Sequence, residues 1–213
     1  MATFGYTTQG GSVTPGRSNA LVGSEFTGVN GTIEKITSRF LNGESDFFSF
    51  TETGDVRAVI LKGDETILSN GVSDLFTDGS IFFAWNDFVF TTNPSVLSSD
   101  NYILCLIGEP LNSPPASTEN GLQINYDVGD SDQGLLEDSG DNSITSPANP
   151  SSPPRNDYKL SIYATYEASG DPDPDPITKV KVAGTFVPIA PKVKLSGTFV
   201  EKTPQIKQGG SFS

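Results

Sequence analysis

Residues 55–65 read DVRAVILKGDE and residues 100–109 read DNYILCLIGE. Val56, Ala58 and Ile60 share one parity of the first stretch, while Arg57, Val59 and Leu61 share the other. Both faces are largely apolar, which suits a strand in the middle of a sheet with its two sides covered. The run is short, rich in β-branched residues and closed at once by Gly63 and Asp64. Length and punctuation therefore favour a strand over a buried helix turn.

Working outward, the same grammar recurs. Phe4 and Tyr6 alternate and predict a first edge strand. Thr32 to Phe40 mixes its apolar spacings, but its β-branched content and the turn that follows predict a strand. Asn30-Gly31-Thr32 matches a glycosylation sequon and reads as a hairpin turn. DFFSFTE (46–52) and ETILSNG, ending at Asn70-Gly71, read as short strands. SIFFAWNDFVFTT (80–92) reads as two segments joined at Asn86-Asp87. GLQINYDVG (121–129) alternates at Leu122, Ile124, Tyr126 and Val128, and NDYKLSIYATYEA (156–168) reads as one last body strand. Residues 110–120 read as a loop, and 130–156 as a long acidic, proline-rich excursion of the kind that is functional or mobile. About eight to ten short strands separated by turn signals predict an all-β, antiparallel β-sandwich, jelly-roll-like, with an antiparallel barrel as the alternative.

This body spans residues 1–168. An Asp/Pro spacer, SGDPDPDPIT, fills 169–178 and is stiff and extended. Residues 179–213 hold a 13-residue repeat, KVKVAGTFVPIAP then KVKLSGTFVEKTP then a truncated QIKQGGSFS. Each copy has an alternating strand, a glycine turn and a second short strand. A unit this short cannot bury its own apolar face, so the extended β-repeat tail points to anchoring or oligomerisation. Lys179, Lys181, Phe186, Lys192, Lys194, Phe199, Lys207 and Phe212 are the candidate assembly contacts.

Composition narrows the chemistry. The chain has no histidine, which removes His-based zinc sites, Ser-His-Asp and Cys-His catalysis, and imidazole switches. Its single cysteine, Cys105, lies in an apolar run and reads as a buried small hydrophobe. The formal charge is −13, yet the tail is basic, with six lysines against Glu201 alone. An acidic body predicts no nucleic-acid partner. No apolar run approaches the roughly 20 residues that span a bilayer, so no membrane insertion is expected. MATFGYTTQGG lacks the basic start and apolar core of a signal peptide, which predicts synthesis in a cytoplasm.

Two sites carry competing readings. Trp85, Asn86, Asp87 and Tyr126 offer aromatic faces and polar groups for a glycan, while an inter-sheet core position is the other reading of Trp85. Asp127, Asp130, Asp132 and Glu137 offer oxygen ligands to calcium. The stretch DVGDSDQG lacks the final glutamate of a calcium loop, and a solvated surface loop is the alternative. No other cofactor is expected. Carboxylates abound, but nothing singles out a facing pair for glycoside hydrolysis. No catalytic residue is assigned, and the chain reads as non-enzymatic.

The opening FGYTTQGGSVTPGRSNALVGSEFTGVNGTIEKITSRF resembles a β-sandwich module of tailed-bacteriophage virion proteins. The likeness rests on its Gly-Tyr-Thr start, on Gly23-Ser24-Glu25-Phe26-Thr27 and on Asn30 to Ile33; DVRAVILKGDETILSNG and NYILCLIGE fit the same pattern. The tail is similar to short carboxy-terminal repeats of phage tail and appendage proteins, in which a Val-Lys-Val-x-Gly-x-Trp-Lys unit recurs. Here Phe186, Phe199 and Phe212 stand where tryptophan is usual, and Val187 and Val200 replace the lysine. The resemblance implies a virion component, either a capsid decoration or head fibre, or a tail-associated receptor-binding or carbohydrate-binding module for host attachment. It implies other virion proteins, copies of the same chain (a trimer from phage practice) and a host surface glycan as partners. It carries no catalytic residues.

Overall fold

The computed structural model describes residues 1–16, 19–46, 49–77, 83–109, 121–136, 143–150 and 154–169, and in the tail 178–182, 185–189, 192–195, 198–201, 207–208 and 211–212. Through 43–53 and in the tail it describes the backbone. The 110–120 segment, Glu137 and the spacer residues 170–177 lie outside the described residues. The chain divides into two compact units, Met1–Ser169 and Gly170–Ser213.

The first unit is all-β, with two antiparallel sheets. One has nine strands and runs Ala2–Gly5, Ile162–Ala168, Gly31–Asp46, Gly121–Val128, Tyr158–Leu160. Ser12–Val13 adds to Gly121–Val128, and Ser49–Thr53, Ala84–Val89 and Ser95–Val96 add to Gly31–Asp46. The other has six strands, in the order Arg155–Asn156, Gly134–Leu136, Leu21–Thr27, Asn101–Gly108, Val56–Lys62, Ile67–Val72. Val56–Lys62 and Asn101–Gly108 are interior strands, as their two apolar faces require.

A shared buried cluster draws on both sheets. Ile33, Ile36, Phe40, Ile124 and Ile162 come from the nine-stranded sheet, and Val22, Ala58, Ile60, Leu104 and Leu106 from the six-stranded one. The opposite parity of the six-stranded sheet builds a second cluster, with Leu21, Val59, Leu61, Ile103, Cys105 and Ile107 joined by Leu135 and Ile144. Gly23 lies opposite Cys105 in the ladder. A Cβ there would run into the Cys105 sulfur and the Leu104 carbonyl, so only glycine fits.

The mixed spacing of Thr32–Phe40 has a backbone cause. Thr165 pairs with Lys35 and Tyr166 with Ile33, so Glu34 is the extra residue of a bulge. Because one residue is skipped, Ile33 and Ile36 both point into the core although they are three apart.

Several expectations are corrected. Asn86 and Asp87 form no turn, since Ala84–Val89 is one continuous strand with Asn86 opposite Ser38 and Asp87 opposite Thr37. Asn30-Gly31 is no hairpin turn, because Leu21–Thr27 and Gly31–Asp46 belong to different sheets. The Asn30 side-chain oxygen instead accepts from the Ser98 N–H at 2.9 Å. ETILSNG does not stop at Gly71; the strand runs Ile67–Val72 with Asn70 left-handed at φ 60. The 156–168 stretch is two strands, broken at Ser161, which change partner from Gly121–Val128 to Gly31–Asp46.

The described parts of the 130–156 excursion, 130–136, 143–150 and 154–156, are tied into the fold. Gly134–Leu136 pairs with Leu21–Thr27, Arg155 bridges Glu25 at 3.1 Å and Glu65 at 2.9 Å, and Asn149 Oδ1 accepts from the Ile67 N–H at 2.8 Å. Its apolar residues Leu135 and Ile144 were the signal, since a purely solvated loop has no use for them.

Ser161 locks the amino-terminal segment to the sheet. Its Oγ accepts from the Gly10 N–H at 2.8 Å and donates to the Thr8 carbonyl at 2.9 Å, and the residue is fully buried. Ser161→Ala leaves the Gly10 donor unsatisfied and is expected to cost about 1–3 kcal/mol, read as a lower urea midpoint. A midpoint unchanged from wild type would show that water replaces the hydroxyl.

Among its described residues the second unit holds three two-stranded antiparallel pairs, Thr178–Val182 with Thr185–Ile189, Lys192–Leu195 with Thr198–Glu201, and Lys207–Gln208 with Ser211–Phe212. Register is kept from copy to copy. Lys181 lies opposite Phe186, Lys194 opposite Phe199 and Lys207 opposite Phe212.

Candidate functional site on the outer face of the nine-stranded sheet

Alternation decides which of the candidate glycan residues stand together. Along Ala84–Val89, Phe88 points into the core, so Trp85, Asp87 and Val89 point away from it. Trp85 is 38% exposed, so it is not an inter-sheet core residue. Asn86 has the core-facing parity, and its side-chain nitrogen donates to the Ala84 carbonyl at 3.2 Å. Tyr126 follows Leu122 and Ile124 inward and packs on Tyr158, ring centroids 4.1 Å apart. Of the four residues, only Trp85 and Asp87 share the outer face.

Others join them from neighbouring strands. Arg39 is directly opposite Trp85, and Thr37 is opposite both Asp87 and Tyr163. The Trp85 and Tyr163 rings lie 5.7 Å apart at 56°. The Arg39 guanidinium donates to Asn125 Oδ1 and lies 5.6 Å from the centre of the Phe83 ring, an arrangement of the cation–π kind. Asp87 accepts from Lys35 Nζ and from Thr37 Oγ1, both at 2.6 Å. Partial burial pushes the Asp87 carboxyl up, but those two donors outweigh it and hold it below the ordinary carboxylate range. The Asp87 hydrogen bond in turn raises the Lys35 ammonium. The result is an aromatic pair rimmed by side chains already tied in place. Arg39 and Tyr163 escaped the sequence reading, although strand alternation from Thr37 onward puts Arg39 on this face.

The calcium candidates are not brought together. Asp127 accepts from the Gly11 N–H at 2.8 Å and from the Tyr6 hydroxyl at 2.5 Å. The Asp130 N–H donates to Gln133 Oε1, while Asp132 is left-handed at φ 59 and its N–H donates to Asp157. Glu137 lies outside the described residues. Among the described residues no three carboxylates, thiols or imidazoles gather into a group that could hold a metal.

Asp127 has a structural role instead, fastening the first strand's exit to the sheet. The Gly11 N–H, then the Tyr6 hydroxyl, hold its carboxyl below the ordinary range. A depressed folded value means that this fastening is present at neutral pH and is lost as pH falls through that value. Protection of the Gly11 amide against hydrogen exchange, taken relative to the intrinsic rate at each pH, is therefore expected to fall on acidification below the usual carboxylate range. Asp127→Asn should abolish that pH step, and a step that survives would assign it to another group.

No known protein-family model matches the chain, and no curated protein matches it in sequence.

Proposed function

We propose that this chain is a non-enzymatic structural protein displayed on the surface of a bacteriophage particle, as a capsid decoration or head fibre. In this reading the two sheets face each other as a jelly-roll-like β-sandwich, and the carboxy-terminal repeat is the anchor. The observation that carries the assembly part is the tail. Three successive hairpins repeat one register, and each is a two-stranded unit, a size that is marginal by itself in water. Such units gain stability by pairing or packing with neighbours, through copies of the chain in a symmetric oligomer, a trimer being the first choice, or through other virion proteins. The likeness of the repeat to phage appendage tails supplies the setting.

A second reading, a tail-associated receptor-binding or carbohydrate-binding module for host attachment, is favoured by one observation: the exposed Trp85 paired with Tyr163 on a polar sheet face.

The deciding experiment is cryo-EM of intact particles at a resolution that traces the tail. Many copies over the shell, with tails laid on the major capsid protein, are expected for a decoration or head fibre. A few copies at the tail tip would favour attachment, and absence from particles would overturn both readings.

A further inference from the structure

We propose that the outer face of the nine-stranded sheet binds a pyranose that carries a carboxylate, with the sugar ring stacked on Trp85 and its carboxylate held by Arg39. The inference rests on the host-attachment reading and names the ligand that reading would need.

Three observations converge on it. First, Trp85 is the chain's single tryptophan and is 38% exposed, while its neighbour Phe88 on the same strand is buried. The indole face is electron-rich, and the C–H bonds on one side of a pyranose present a weakly positive, flat surface to it. Tyr163, tilted at 56° beside the indole, gives the platform a wall.

Second, Arg39 comes from the residue directly opposite Trp85, so the two side chains start from neighbouring points on one face. Its guanidinium is steadied by Asn125 and by the Phe83 ring, both of which leave its charge uncompensated. Among the described residues Arg39 forms no ion pair, whereas the other cation of the patch, Lys35, is neutralised by Asp87. A planar fork with spare N–H groups is suited to a carboxylate, which it can hold through two parallel hydrogen bonds.

Third, the sign is local. The chain carries a formal −13, so a densely charged polyanion would be repelled, while a ring with one carboxylate meets Arg39 before it meets the general field. A neutral sugar would stack on Trp85 and leave Arg39 unused.

Because Trp85 is the only tryptophan, indole fluorescence excited beyond the tyrosine absorption band reports on this site alone. The full chain is titrated with galacturonic acid, with sialyllactose and with lactose. A saturable change is expected with at least one acidic probe, with lactose weaker by about tenfold or more. Arg39→Gln should erase that preference at an unchanged urea midpoint, and Tyr163→Ala should weaken all binding. Trp85→Phe, followed by calorimetry, checks that the signal reflects affinity. Silence with both acidic probes, an equal response to lactose, or unaltered preference in Arg39→Gln overturns the proposal. Location in particles is read separately. A chain at the tail tip that binds none of these sugars leaves the attachment reading standing and removes only the ligand; a chain that binds them yet is absent from particles does the reverse.

Discussion

Phe40→Ala should destabilise the body by about 3–5 kcal/mol, the range for deleting a fully buried aromatic ring. Phe40 has no exposed surface and sits on Gly31–Asp46, the strand that pairs with five others. Its ring lies 5.9 Å from Phe76 in an edge-on arrangement and 5.5 Å from Phe88, which in turn is 5.6 Å from Phe76. Removing the Phe40 ring opens a cavity that strand residues, fixed by ladders on both sides, cannot close. Beyond the lost burial, each aromatic contact contributes about 0.5–1.5 kcal/mol. Since whole domains are stable by only about 5–15 kcal/mol, the variant should lose much of its margin. Urea unfolding followed by Trp85 fluorescence measures this directly. Val89→Thr, on the exposed side of the adjacent strand, should stay within about 0.5 kcal/mol of wild type. A loss below about 1.5 kcal/mol for Phe40→Ala would mean that the three rings do not act as a packed unit.

The all-β class and the interior place of Val56–Lys62 were legible because both depend on the local pattern of apolar residues. What the residues did not disclose is partnership. A bulge at Glu34 disguised a regular strand as mixed spacing, because one skipped residue changes the count without changing which side chains face inward. The reading of Asn30-Gly31 as a hairpin failed for a related reason: turn chemistry fixes the backbone locally but not which sheet the next strand enters. The site residues show the same divide. Asn86 was grouped with Trp85 and Asp87 by adjacency, yet period-two alternation, already visible in the sequence, sends it to the other face. Tyr126 fails likewise, since Leu122 and Ile124 share its parity and are fully buried. Arg39 and Tyr163 reach Trp85 only through the pairing of three strands distant in sequence, which a single sequence does not reveal.

Deleting residues 179–213 should leave the body as stable as in the full chain and abolish its incorporation into particles. Every residue of the two buried clusters found among the described residues lies in Met1–Ser169, so the deletion removes none of their side chains. The urea midpoint of the truncated chain, followed by Trp85, should therefore match the full-length value, and the same cut should drop particle-associated protein to background. The two readouts separate a folding defect from an anchoring defect. A subtler variant asks what the tail uses. Lys181, Lys194 and Lys207 recur every 13 residues, each opposite a phenylalanine, so the same charge falls at one register position of every copy. If these lysines dock on an acidic surface, replacing all three by glutamate reverses the attraction while the backbone pairing of each hairpin is kept. Incorporation should then fall, and the wild-type tail should be released more readily at high salt because exposed charge pairs are screened. If the triple variant incorporates normally while the deletion does not, main-chain pairing between hairpin edges holds the tail and charge plays no part. Normal incorporation of the deletion itself would remove the anchor, and with it the observation on which the virion reading rests.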